Sequence, residues 1–286
     1  MRTSRRKSRQ KSPNLTNDEK QGSVDYMPSA NNSFLDSNSA KGIADLHFEN
    51  LRSGAAIRNL RQRQVSRVEC AQGKFIVKSY HINIFRRIFN CFPFSTAYTT
   101  LLDGLTPPLR ANFQYSFTCQ VTITDDAGPT DMFALFRNAP LPPDFRHFYS
   151  EAGKLLAQIH ERRIFHADAK APNFVINQNL PSLPPVLIID CDKVRRFSKL
   201  PEDKMVFNIA QFIACHSMKC ESNLKLYPEA MKAFFDGYAL ESHIERNEMR
   251  QLATKAVACA LGNRKIELRI SPELLKDVIR NGYDMK

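Results

Sequence analysis

The clearest hydrophobic periodicity lies in the middle of the chain. Phe145, Phe148, Tyr149, Ala152, Leu155, Leu156 and Ile159 recur three and four residues apart, which puts them on one face of an amphipathic helix. Asp144 stands where such a helix takes its cap. Upstream the pattern is β-like. In "RQVSRVECAQGKFIVKSY" two β-prone runs flank a Gln-Gly turn and predict a hairpin ending near Lys78. "YSFTCQVTIT", the turn "DDAG" and "TDMFALF" predict a second one. Between them, Ile82, Phe85, Ile88, Phe89 and Phe92 of "INIFRRIFNCFPF" share a helical face. After the central helix, "NFVIN" and "PVLIID" read as two short strands. Beyond Lys199 the spacing is helical again, in about three segments, with Pro201 suited to a first helical turn.

Residues 1 to about 45 break this patterning. They are rich in Ser, Asn, Lys, Arg and Gln and poor in apolar side chains, so they cannot offset the entropy of ordering and are predicted to be a disordered tail. A β-rich stretch followed by helices predicts a two-lobed α+β arrangement. The expected division is a tail over 1–45, a β-rich lobe over 46–137 and a helical lobe over 138–286.

Charge narrows the partners. The formal net charge of +12 and a pI near 9.5 favour an anion: a nucleotide, a phosphorylated glycan, nucleic acid or acidic lipid. No aromatic-basic motif of a nucleic-acid binder is present, so nucleic acid is not expected. No apolar run approaches a bilayer span, and the basic N-terminus has no apolar segment behind it. The expectation is a cytoplasmic protein without a transmembrane helix or secretory signal. The Ile82–Phe94 run either packs into the β-rich lobe or, with Arg86 and Arg87 beside its aromatics, touches an anionic membrane surface. Seven scattered cysteines with no CxxC pair read as reduced thiols, and Cys215-His216…Cys220, in an apolar helical stretch, as packing residues.

The chemistry is concentrated in "IFHADAKAPNFVIN", residues 164–177, and in "VLIIDCD" shortly after it. An isolated HxD is usually a turn. Here a helix, HxDxKxxN spacing, a strand, a second strand and a terminal Asp-x-Asp fall in sequence. Phosphoryl transfer to an alcohol needs a carboxylate near the attacking hydroxyl, oxygen ligands for a metal bridging the phosphates, and cations against developing charge. Asp168 would accept or orient the hydroxyl proton, and Lys170 would sit beside the transferred group. Asn173 would offer a hard oxygen to Mg2+, and Asp190, ending a buried strand, would be the main metal carboxylate. His166 would brace the loop.

These residues resemble the catalytic loop and metal-binding Asp motif of protein-kinase-like enzymes. Within that superfamily the chain is most similar to the bacterial lipopolysaccharide core kinases of the Kdo and heptose kinase type. "FIVKSY" resembles their nucleotide-binding lysine strand, "LLDGLTPPL" their linker, and "IIDCDKVRRF" their Ile-Asp-x-Asp-x-x-Arg segment. "FNIAQFIACHS" and "AMKAFFDGYAL" are similar to their helical tail, and the likeness spans about residues 60 to 245. The resemblance implies a protein-kinase-like fold, ATP and Mg2+ as cofactors, Lys78 on the nucleotide phosphates, and a sugar hydroxyl of a lipid-linked glycan as acceptor. It implies a place in the cytoplasm, peripheral to the inner membrane.

The sequence departs from that pattern in three ways. No Glu lies between Lys78 and Pro107 to pair with the lysine; Asp103 is the only acid there. No GxGxxG precedes Lys78. The segment from Asp190 to Pro201 leaves little room for a peptide-docking loop, which favours a small or glycan acceptor. Two readings follow: an ATP-dependent kinase of lipopolysaccharide core, or a pseudokinase that binds without turnover, with an atypical protein kinase as a further variant. Retention of Asp168, Asn173 and Asp190 together favours the enzyme. Arg195 and Arg196 face either an anionic substrate or solvent.

Overall fold

Alternate residues of the first hairpin go to opposite faces, and the two faces do different work. In the computed structural model, which describes residues 34–81, 101–138 and 140–283, the hairpin belongs to a five-stranded antiparallel sheet. Its strands are β1 (Ala56–Leu60), β2 (Arg63–Cys70), β3 (Gly73–His81), β4 (Leu109–Ser116) and β5 (Cys119–Asp125), in the order β1-β2-β3-β5-β4. Val68, Phe75, Val77, Val121 and Ile123 form the apolar face. Arg63, Val65, Arg67, Ile76 and Lys78 turn the other way, into a cleft. The register pairs Val65 with Lys78 and Arg63 with Tyr80, so these four side chains share one face.

The apolar face is covered by α1 (Ser37–Arg52), through Ala40, Ile43, Ala44 and His47. Asp36 caps this helix, its Oδ1 accepting from the amides of Asn38 (2.9 Å) and Ser39 (3.0 Å). His47 is fully buried, with Nδ1 2.7 Å from Ser66 Oγ and Nε2 3.0 Å from Ser79 Oγ. Burial pushes its pKa down to about 4, so the ring is neutral at pH 7 and can give one hydrogen bond and take the other.

Helix α1 corrects the predicted tail: residues 37–45 are ordered. Four small or apolar positions at helical spacing suffice to bury a stripe, but a polar composition averages them away. A chain shortened to start at Leu46 is therefore expected to lose roughly 3–5 kcal/mol of stability, because Val68, Phe75 and Val77 lose their cover. A chain starting at Phe34 keeps α1 whole. Melting temperatures of the two would be compared, and equal values would refute the packing role.

A second correction concerns "TDMFALF". It is not a strand but helix α2 (Met132–Arg137), capped by Asp131, whose Oδ1 accepts from Ala134 N at 2.7 Å. Met132, Leu135 and Phe136 are its buried face, a helical spacing hidden in a short apolar run. The second hairpin is β4–β5.

Helix α3 (Phe145–Glu161) has the predicted buried face, although Asp144 makes no side-chain cap bond. After Lys199 there are five described helices where three were expected: α4 (Glu202–Ala214), α5 (Glu221–Leu224), α6 (Tyr227–Ser242), α7 (Arg246–Gly262) and α8 (Pro272–Tyr283). Pro201 occupies the N-cap of α4. Helices α3 and α6 cross so closely that each needs a glycine. A Cβ on Gly153 would overlap the Phe234 carbonyl, and one on Gly237 the Ser150 carbonyl. The run Ile82–Phe94 lies outside the described residues. No described helix is long and apolar enough to cross a membrane.

The connection between the lobes follows β5 directly and is bonded on both sides. Toward the sheet, Asp126 N donates to Lys74 O (3.0 Å), and Arg67 forms an ion pair with Asp126 and donates to Gly128 O (3.1 Å). Toward the helices, the amides of Gln178 and Asn179 donate to Ala127 O (2.7 and 3.2 Å), and Ile176 N donates to Thr130 O (2.9 Å). The result is a two-lobed α+β fold with a cleft between the lobes.

Candidate active site

Two short β pairs carry the polar loops. Strand β6 (Ile164–His166) pairs with β9 (Val194–Arg196), and β7 (Phe174–Ile176) with β8 (Val186–Ile188). The loop from Ala167 to Asn173 leaves β6 and enters β7. His166 braces it: Nδ1 accepts from Asp168 N (3.2 Å), and Nε2 donates to Ile189 O (3.2 Å). Burial lowers the pKa of His166 and keeps the ring neutral, as this pattern of one acceptor and one donor requires.

The loop also rests on helix α4. Asn208 Nδ2 donates to His166 O (2.5 Å) while its Oδ1 accepts from His166 N (3.3 Å). Gln211 Oε1 accepts from Ala169 N (3.0 Å), and its Nε2 donates to Ala167 O (3.2 Å). Both amides are buried. Sequence reasoning missed them. The available signal was two polar residues, three apart, inside the otherwise apolar "VFNIAQFIA".

Each predicted residue has a definite place. Lys78, Asn173 and Asp190 line a cleft of ≈ 320 Å³ between the lobes; Asp168 and Lys170 lie beside it. Asp168 Oδ1 is 2.9 Å from Lys170 Nζ, and that hydrogen bond raises the lysine's pKa. Asn173 Nδ2 donates to Asp168 O (2.6 Å) and lies 3.3 Å from Asp168 Oδ2, while Asn173 O accepts from Ile189 N (2.8 Å). Asp168 is thereby tied to the end of β8, next to Asp190.

Asp190 has φ 62° and ψ 44°, a left-handed conformation costly for a residue with a Cβ and concentrated at functional sites. Its described cationic partners are Lys78, with Nζ 3.5 Å from Oδ1, and Arg63, which contacts both oxygens. Burial works against its charge, but Lys78 and Arg63 outweigh burial and hold its pKa down to about 2. Asp192 accepts from Tyr80 OH at 3.0 and 2.9 Å on its two oxygens. Arg63, Tyr80 and Asp192 complete a network that spacing arguments could not assemble, since Arg63 and Asp190 are far apart in sequence.

The cleft is apolar at one end. Val65 and Ile76 come from the sheet, Val175 and Ile189 from the helical lobe, and Asp125 to Pro129 line it along the connection. Such walls suit a flat ring, and the polar end suits its anionic substituents. For a divalent ion the donors fit: Asp190 and Asp192 supply carboxylates and Asn173 an amide, the oxygen set that hard cations prefer. No group of three or more His, Cys, Asp or Glu side chains able to hold a metal occurs among the described residues. Magnesium commonly takes few protein ligands and completes its shell with phosphate oxygens and water. Arg195 and Arg196 are both exposed on β9.

No protein-family model and no curated protein matches the chain. Solved structures do, in large number. One is WaaP in complex with acyl carrier protein, at 15% identity and a TM-score of 0.47, covering 83% of this chain and 92% of that one. A likeness at this level bears on neither substrate nor activity.

Proposed function

We propose that the protein is an ATP-dependent phosphotransferase with an alcohol acceptor, acting on a sugar hydroxyl of lipopolysaccharide core, Kdo or heptose. The observation that carries the phosphotransferase reading is the convergence of Lys78 and Asp190 across the cleft, with Asn173 and the Asp168–Lys170 pair at its edge. In this reading Val65, Ile76, Val175 and Ile189 enclose the base, and Lys78 offsets phosphate charge. Asp190 and Asn173 hold Mg2+, which neutralises phosphate charge when bound. Asp168 takes the acceptor's proton, and Lys170, 2.9 Å from its Oδ1, stands ready for the developing negative charge. The sugar acceptor rests on the sequence resemblance to the core kinases and on the short stretch between Asp190 and Pro201. A lipid-linked acceptor would bring the protein to the cytoplasmic face of an anionic membrane, in keeping with its charge of +12.

One observation favours the rival, a nucleotide-binding module without turnover: Arg63 already satisfies the carboxylate that must hold the metal. The deciding experiment measures Mg2+-dependent ATP turnover and ATP binding on one preparation, with and without purified lipopolysaccharide core precursors. Phosphorylated core sugar supports the proposal. Binding without turnover on any acceptor supports the rival, and absence of binding removes both.

A further inference from the structure

Phosphate-binding loops rich in glycine work because bare backbone amides can approach the anion. The corresponding turn here, between β1 and β2, is built differently. Leu60 pairs with Arg63 and Asn59 with Gln64, which closes a tight turn at Arg61 and Gln62 and commits the flanking backbone to the ladder. There is no glycine from Ala55 to Gln72. The positive charge at this end of the cleft is carried by side chains instead.

Arg63 is the best placed of these. It projects from the cleft face of β2, opposite Tyr80, with its guanidinium carbon 5.6 Å from that ring's centre. Nη1 donates to Asp190 Oδ2 (3.1 Å) and Nη2 to Asp190 Oδ1, while Nη1 lies 3.6 Å from Asp192 Oδ2. Its Nε is buried with no hydrogen-bond partner among the described residues. That N–H is closed off while the fork grips Asp190, so it can meet a ligand only if the side chain moves.

Resting on the nucleotide-site reading, we infer that Arg63 is a phosphate-binding residue that replaces the glycine loop, and that it exchanges its two carboxylates for phosphate when a metal–nucleotide enters. The charges require a move of this kind. Arg63 and Lys78 now balance Asp190 and Asp192. A divalent ion on the same carboxylates adds two positive charges beside the guanidinium, and the phosphates arriving with it offer the guanidinium a better partner nearby. The planar fork that fits a carboxylate fits a phosphate equally well.

The test compares the unmutated protein with Arg63→Gln by calorimetry, using adenosine and Mg·ADP as ligands, and by electron paramagnetic resonance titration of Mn2+ alone. Adenosine affinity should stay within about twofold. Mg·ADP should weaken by about tenfold or more, the loss expected for a charge-assisted hydrogen bond. Mn2+ alone should bind more tightly, because its carboxylates lose a competitor. Equal shifts for adenosine and Mg·ADP, or no shift in either, overturn the phosphate role; unchanged Mn2+ affinity overturns the exchange. Arg63→Lys, which keeps the charge but not the fork, should fall between the two proteins and serves if Arg63→Gln does not fold. Unmutated protein that binds neither adenosine nor Mg·ADP defeats the nucleotide-site reading itself, whereas normal binding that survives Arg63→Gln defeats only this assignment.

Discussion

Asp168→Asn is expected to cut turnover by about 10²–10⁴ while leaving nucleotide affinity within about twofold. Asp168 does not line the cleft, so its loss should not disturb the bound nucleotide. The amide keeps the shape and an acceptor oxygen but loses the basicity and the partnership with Lys170. Asp190→Asn should behave differently. That carboxylate faces the cleft between Lys78 and Arg63, so Mg2+-dependent nucleotide affinity should fall together with turnover. Single-turnover rates and binding constants for both variants separate the two roles. Undiminished turnover in Asp168→Asn would remove that residue from the reaction.

The largest effect on stability is expected at the crossing of α3 and α6. Gly153→Val should cost more than about 3 kcal/mol and leave little folded protein at 37 °C. The clash is with the backbone of Phe234 and Tyr238, which cannot swing aside as a side chain does, so the helices must part. Parting them disturbs the stack of Phe212 on Phe234 at 4.3 Å and the His160–Tyr238 hydrogen bond at 2.8 Å. His160 in turn lies 3.3 Å from Asn208, which holds the loop bearing Asp168. Gly42→Ala is the control. Gly42 is exposed in α1 with open space around its Cβ position, and alanine there should add up to about 1 kcal/mol of helix stability. Thermal melts of the two variants should move in opposite directions; similar shifts would refute the close-crossing argument.

Much of this architecture was legible from local pattern. Helix α3, the β2–β3 hairpin and the strands around the polar loop each announce themselves by period and turn chemistry, and the fold class follows from their order. Where reading failed, the signal was diluted or distant. Helix α1 hides in a segment whose average is polar, though its four buried positions are correctly spaced. Helix α2 is too short for its period to be told from alternation. The placement of Lys78, Asn173 and Asp190 on one cleft could be anticipated because a short hairpin joins the last two. Arg63 could not, because only sheet register brings it to Asp190. Asn208 and Gln211 lay in between: their burial is a tertiary fact, but polar residues in an apolar helix are a visible anomaly.

The connection bonded to both lobes has a consequence for how the cleft meets a ligand. In many two-lobed proteins the lobes swing apart and closing them is part of binding. Here the Arg67–Asp126 pair and the Asp126–Lys74 hydrogen bond fasten the connection to the sheet, while Gln178, Asn179 and Ile176 fasten it to the helices. Opening the lobes is therefore expected to strain one set or the other. On that expectation, the width of the slot between Val65 and Ile76 on one side and Val175 and Ile189 on the other is set largely when the chain folds. The entropy of bringing the walls together is lost once, when the chain folds, rather than at each encounter with a ligand. Such a slot selects by thickness, admitting a planar ring readily and a puckered or branched group poorly.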